Sequence, residues 1–264
     1  MIGVFDSGLG GLTAVRALEK IMPNENIIYF GDTGRVPYGT RSESTLLKYA
    51  RQDLAFLRTH DINAVLVACG TVSSIAIDDL RSISDIPVVG VVEPSAEAAV
   101  KATKNRIIGV IGTGVTVASG SFNKAIKKIA PDAKVVTTAC PLFVPLVENG
   151  FIEKDNEITR LTAEKYLADI KASGADTLIL GCTHFPIISD IIASVMPGVT
   201  LINSGEEAAK SIYTMMKNEN MLLGDGGDLS YFVSDEISGF EKIAEMFLGH
   251  SINGQVRKIN IEEY

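Results

Sequence analysis

Val65-Leu66-Val67-Ala68-Cys69-Gly70-Thr71 and Leu178-Ile179-Leu180-Gly181-Cys182-Thr183-His184 share one pattern, 113 residues apart. Each opens with a short aliphatic run of the kind that forms a strand buried on both faces. Each run breaks at a cysteine followed by small or hydroxyl residues. In a parallel α/β sheet that break marks the carboxyl end of a strand, where the ligand-holding crevice opens. Two thiols so placed, one from each half of a chain, can face each other across a single small molecule. Such a pair suits chemistry that needs an acid and a base on opposite faces of one carbon.

The rest of the chain has the same rhythm. Strand-like runs are read at Ile2–Phe5, Asn26–Phe30, Ala64–Ala68, Val88–Val91, Arg106–Ile111, Lys134–Thr138, Thr177–Leu180, Val199–Ile202 and Leu229–Val233. Helical patterns fall between them, as at Leu12–Ile21, Glu43–Thr59, Glu157–Ala172 and Glu206–Met216. This alternation predicts α/β architecture with parallel sheets flanked by helices. A second repetition supports duplication: Ile2-Gly3-Val4-Phe5-Asp6-Ser7-Gly8 resembles Ile108-Gly109-Val110-Ile111-Gly112-Thr113-Gly114 at an offset of 106. Two units of roughly 100 residues follow. The C-terminal stretch is too short for a third unit and is expected to return to the first. The predicted division is residues 1–93 plus 206–264 for one domain and 94–205 for the other. The opposing reading is that Ile-Gly-Val and Leu-x-Leu runs recur by chance in α/β chains.

Composition narrows the function classes. The 264 residues carry a net charge of −8, with no run of Lys or Arg to neutralise phosphates, so nucleic acid is not the expected partner. No stretch approaches the ~18 consecutive apolar residues of a membrane span. The N-terminus enters a strand without a positively charged leader, and three cysteines cannot form a disulfide framework, so a reducing cytoplasm is expected. Metal ligation is not expected: there is no Cys-x-x-Cys, and the three histidines, His60, His184 and His250, are scattered.

Asp6-Ser7-Gly8-Leu9-Gly10-Gly11 closes the first strand and opens a helix. Its glycines can turn amides towards an anion, and a carboxylate suits it better than a pyrophosphate, which Asp6 would repel. The plainer reading is a tight turn in which Asp6 or Ser7 caps the helix. Gly31-Asp32-Thr33-Gly34-Arg35-Val36-Pro37-Tyr38-Gly39 is either a binding loop or a turn rich in breakers. Free cysteines usually just pack in cores, and Cys140 is expected to do so. Cys69 and Cys182 differ in standing at repeated positions beside polar small residues, where a lowered pKa would make a thiolate a competent base. His184 is placed to tune or relay a proton.

Together these segments resemble the glutamate racemase family. The resemblance runs through Asp-Ser-Gly-Leu-Gly-Gly-Leu at 6–12, Gly-Asp-Thr with Pro-Tyr-Gly at 31–39, the Cys69 segment, Gly90 to Pro94, Cys-Pro-Leu-Phe-Val-Pro-Leu-Val-Glu at 140–148 and Gly-Cys-Thr-His-Phe-Pro at 181–186. It implies two pseudo-symmetric α/β domains with the active site in the cleft between them. It also implies interconversion of L- and D-glutamate without pyridoxal phosphate or any other cofactor, supplying D-glutamate for cell-wall peptidoglycan. Cys69 and Cys182 would be the two bases, assisted by Asp6 and His184 respectively. Substrate contacts would come from Asp6, Ser7, Tyr38, Gly39, Gly70, Thr71, Thr183 and His184, with Asp32 and Glu148 as secondary polar groups. A homodimer is implied as well.

Two positions depart from the family pattern. The usual Cys-Asn-Thr-Ala is Cys69-Gly70-Thr71-Val72 here, and the usual Asp-Ser after the late strand is Asn203-Ser204. Three other readings stay open on the residues alone. One is an aspartate racemase of the same superfamily. Another is a non-catalytic carboxylate-binding protein. The third is a cysteine hydrolase or transferase with one nucleophilic thiol.

Overall fold

In the computed structural model, which describes residues 1–224, 226–252 and 254–264, aliphatic runs form the strands and amphipathic segments the helices. The first stretch runs β1 (Ile2–Asp6), α1 (Leu12–Ile21), β2 (Ile27–Gly31), α2 (Glu43–Leu57), β3 (Ala64–Val67), α3 (Gly70–Ile75), α4 (Ile77–Ile83) and β4 (Val88–Gly90). The middle stretch runs α5 (Val92–Ala102), β5 (Ile107–Gly112), α6 (Gly114–Ser119), α7 (Ser121–Ile129), β6 (Lys134–Ala139), α8 (Phe143–Glu148), α9 (Glu157–Ala172), β7 (Thr177–Leu180), α10 (Ser189–Val195) and β8 (Thr200–Asn203). The chain closes with α11 (Ser204–Asn218), β9 (Leu229–Val233), α12 (Ile237–Leu248) and β10 (Val256–Lys258).

The strands form two sheets, ordered β10-β9-β2-β1-β3-β4 and β6-β5-β7-β8. Every pairing is parallel. The order β2-β1-β3-β4 of the first sheet is that of β6-β5-β7-β8 in the second, so β3 and β7, which carry the two cysteines at their ends, are equivalent strands. Register agrees: Val4 of β1 lies opposite Leu66 of β3, and Val110 of β5 opposite Ile179 of β7. The fold is therefore two parallel α/β sheets of related topology. The late strands β9 and β10 extend the first sheet beyond β2, and α11 packs against α1.

Strands β1, β3 and β7 are buried along their whole length, which helices on both faces of a parallel sheet require. Side-chain caps begin several helices: Ser42 accepts from the Thr45 amide at α2, Asn156 from Thr159 at α9, and Asn203 from Gly205 and Glu206 at α11. Each cap contributes about 1 kcal/mol. Asn203 thus does what the family's usual Asp would do there, and Ser204 Oγ donates to the Leu180 carbonyl at 2.8 Å, tying α11 to the end of β7. Helix α12 stops at Gly249, whose φ of 84° a side chain would strain. Strand β10 lies outside the runs read from the sequence: only Val256 of its three residues is buried, and Arg257 and Lys258 are exposed.

Candidate active site

The carboxyl ends of the two sheets meet backbone to backbone. A Cβ added to Gly70, the first residue of α3, would fall on the Gly181 carbonyl oxygen and lie 3.8 Å from the Cys182 Cα. A Cβ on Gly10 would come within 2.7 Å of His184 Nδ1, and one on Gly39 within 2.8 Å of Thr113. Three contacts of this kind bring together the loops after β1, β2, β3, β5 and β7. Asp6, Ser7, Gly39, Gly70, Thr71, Thr183 and His184 lie on the loops that meet at this junction, as do Cys69 and Cys182.

Cys69 ends the β3 segment and stands at the N-cap of α3, buried, with Sγ 3.6 Å from Ser7 Oγ. Burial and the nearby charge of Asp6 push its thiol up to about 12, against the lowering effect of the Val72 amide and Ser7. Asp6 is itself fully buried at the end of β1. Burial raises its pKa, opposed by the charge of His184 and the amides of Gly11, Gly8 and Ser7. One Asp6 oxygen accepts from the Gly8 amide at 3.1 Å; the other has no protein partner among the described residues. Neither Asp6 nor Ser7 caps α1, whose N-cap is Gly11 without a side-chain bond. A buried carboxylate oxygen left unpaired beside a thiol is costly unless a proton or a cation comes to it.

Cys182 follows β7 and leads into a 3-10 turn over Phe185–Ile188. His184 is buried, with Nε2 2.9 Å from Glu148 Oε1 and its ring edge-on to Phe247 at 5.5 Å. Burial alone would depress the imidazole. Pairing with Cys182 and Glu148 outweighs it and lifts His184 to about 10, so the ring is an imidazolium at neutral pH. Glu148, at the last turn of α8, is thereby fixed as the partner of His184 and keeps partial exposure.

Hydroxyls bridge the halves. Thr71 Oγ1 lies 3.0 Å from Thr113 Oγ1 and 3.5 Å from Thr116 Oγ1, and the last two are 3.0 Å apart. The Thr113 side chain also caps α6 by accepting from the Thr116 amide. Neither Thr113 nor Thr116 was singled out from the sequence. The signal was present: the 106-residue offset that aligns Ile2 with Ile108 aligns Ser7, beside Cys69, with Thr113.

Asp32 requires a correction. The expectation was a polar group in the cleft, but its side chain is fully buried and both oxygens are engaged. Arg35 Nε donates to Asp32 Oδ2 at 2.6 Å, the Tyr38 hydroxyl donates to the same oxygen, and Ser234 Oγ donates to Oδ1 at 2.7 Å. Arg35 also reaches buried Asp53 at 2.9 Å and Gln52 at 2.5 Å, and its guanidinium stacks on Tyr49 at 4.1 Å. Burial and Asp32 hold Asp53 well above the usual carboxylate range. Tyr38 therefore turns its hydroxyl inward, and its loop offers the junction its backbone and Gly39. Cys140 is buried in the core as expected, raised by burial and by Cys182. Among the described residues, no three His, Cys, Asp or Glu side chains cluster as a metal site, and no helix is long and apolar enough to cross a membrane.

Paired parallel sheets of related topology, with a cysteine closing the equivalent strand of each, define a two-sheet α/β protein. The family described as Asp/Glu/hydantoin racemase matches residues 13–212, and the chain belongs to that family. A glutamate racemase of Geobacter metallireducens is 44% identical over 99% of this chain and 97% of its own. One of Persephonella marina is 46% identical over 96% and 95%. The crystal structure of a Francisella tularensis glutamate racemase in complex with D-glutamate superposes with a TM-score of 0.93, at 37% identity over all of this chain and 98% of that one.

Proposed function

We propose that this chain is a glutamate racemase that inverts the α-carbon by two-cysteine proton transfer without a cofactor. The observation that carries it is the contact of the Cys69–Gly70 and Gly181–Cys182 backbones, which sets the two strand-end thiols against one shared junction. Relatives named glutamate racemase, one of them holding D-glutamate, favour this substrate.

One thiolate takes the α-proton while the opposite thiol gives its proton to the other face. The C–H electron pair remains on carbon as a carbanion-like centre and then forms the new C–H bond. The two sulfurs exchange protonation states, so the reverse reaction uses them in opposite roles. Cys69, held protonated by burial and by Asp6, starts as the acid. His184, an imidazolium paired with Glu148, offers its positive charge and N–H beside the Cys182 sulfur while that sulfur acts as the base. The unpaired oxygen of Asp6 is suited to the substrate ammonium. Thr71, Thr113, Thr116 and Thr183 hydroxyls, with amides around Ser7 and Gly39, would hold the carboxylates. Donors fixed at the α-carboxylate must also carry the charge that develops as the weakly acidic proton leaves.

The same reading divides the chain into domains 1–93 plus 206–264 and 94–205, a division that sheet membership supports. It assigns a cytoplasmic homodimer supplying D-glutamate for peptidoglycan. The test is racemisation of L- and D-glutamate without added cofactor, with aspartate as the competing substrate. Cys69→Ala and Cys182→Ala should each abolish turnover of both enantiomers. Retained racemisation in either variant, or preference for aspartate, contradicts the reading.

A further inference from the structure

Gly70 replaces the asparagine that the family usually carries beside the first cysteine, and its surroundings explain what its bareness does. Its backbone is not left-handed, so any L-residue could adopt the conformation. Space is the only obstacle. A Cβ at this position would sit on the Gly181 carbonyl oxygen, well inside the 3.0 Å that real Cβ atoms respect, and 3.1 Å from the Gly181 carbonyl carbon. Those atoms are backbone and cannot rotate away. Gly181 cannot retreat either: its amide donates to the Ile111 carbonyl at 2.8 Å, and its own face is filled, since a Cβ there would meet that carbonyl at 2.7 Å and the Phe122 ring at 3.0 Å. A side chain on residue 70 must therefore push the end of β7, with Cys182, away from the end of β3, with Cys69.

We infer that Gly70 is a positioning residue, whose missing side chain sets how closely the two cysteine-bearing strand ends approach; the inference rests on the racemase reading above. Clearing the overlap needs a displacement on the order of 1 Å, and a misplacement of that size at reacting groups costs roughly 100-fold in rate.

The test compares Gly70→Ala and Gly70→Asn with the parent enzyme, measuring kcat and KM for both enantiomers, the α-deuterium isotope effect on kcat, and the melting temperature. The expected result is a kcat lower by roughly 100-fold in Gly70→Ala, with a larger isotope effect because proton transfer has slowed. KM should move far less, and the fall should persist after correction for folded fraction. Gly70→Asn, although it restores the family residue, should be no better. A kcat within about threefold of the parent in Gly70→Ala, or a loss accounted for by unfolding, overturns the inference. A crystal structure of the parent with D-glutamate judges it without any variant: Gly70 Cα should touch the Gly181 carbonyl, and a gap that admits a methyl group overturns it. An inactive parent would instead sink the racemase reading, whereas an active parent with an unaffected Gly70→Ala would sink only the role of Gly70.

Discussion

Arg35→Leu removes the one guanidinium that spans two fully buried carboxylates. Its own side chain is only 10% exposed, and both Asp32 and Asp53 are at 0%, so solvent screening is weak and the interaction keeps most of its strength. Breaking such a pair by deleting one partner costs about 3–5 kcal/mol, because an uncompensated charge stays in the interior. At roughly 2–4 °C per kcal/mol for a chain near this size, the melting temperature should fall by roughly 6–20 °C. The same bonds hold Tyr38, and with it Gly39 against Thr113, so KM for glutamate should rise in whatever fraction remains folded. Arg35→Lys should recover only part of the loss, since an ammonium keeps the charge but cannot fork to Asp32, Asp53 and Gln52 together. Circular dichroism melts and steady-state kinetics on the two variants decide. A melting temperature for Arg35→Leu within about 2 °C of the parent's would show that the Arg35 ion pairs do not stabilise the fold.

Glu148→Gln should shift the alkaline limb of the kcat profile to lower pH. His184 is raised from 6.5 to about 10, so its favourable charge is complete below the unfolded value and is lost as pH rises through the folded one. An alkaline limb unmoved in Glu148→Gln would show that the pair does not hold the imidazolium. Thr113→Val should raise KM for glutamate by about tenfold, the equivalent of one hydrogen bond of ~1.4 kcal/mol, with a smaller change in kcat. An unchanged KM would remove Thr113 from the substrate site.

What could be read in the sequence depended on how local its cause was. The strands with cysteines at their ends announced themselves because a parallel strand buried on both faces is apolar throughout, as Val65-Leu66-Val67 and Leu178-Ile179-Leu180 are. Strand β10 did not, because Arg257 and Lys258 are strand residues only through parallel pairing with Phe232 and Val233 of β9. Asp32 was misread for a related reason. Ser234, which takes up its second oxygen, lies about 200 residues away in sequence, and nothing near Asp32 signals it. The loop motif gave the right neighbourhood and the wrong direction for the side chain. Thr113 was within reach of the repeat already recognised, since it stands where Ser7 stands in the first unit. Glu148 looks like a solvated turn residue until the fold brings His184 to 2.9 Å. The contact of Gly70 with Gly181 belongs to the meeting of two sheets, and no single segment encodes it.

The two-cysteine reading requires two different groups to handle the proton on the two faces of one carbon. Glutamate of a single configuration, turned over briefly in D2O and recovered as separate enantiomers, tests it most directly. Solvent deuterium should appear at the α-carbon of the inverted product, with the recovered starting enantiomer still carrying hydrogen. Deuterium appearing equally in both from the first turnovers would mean that one base serves both faces, and would contradict it.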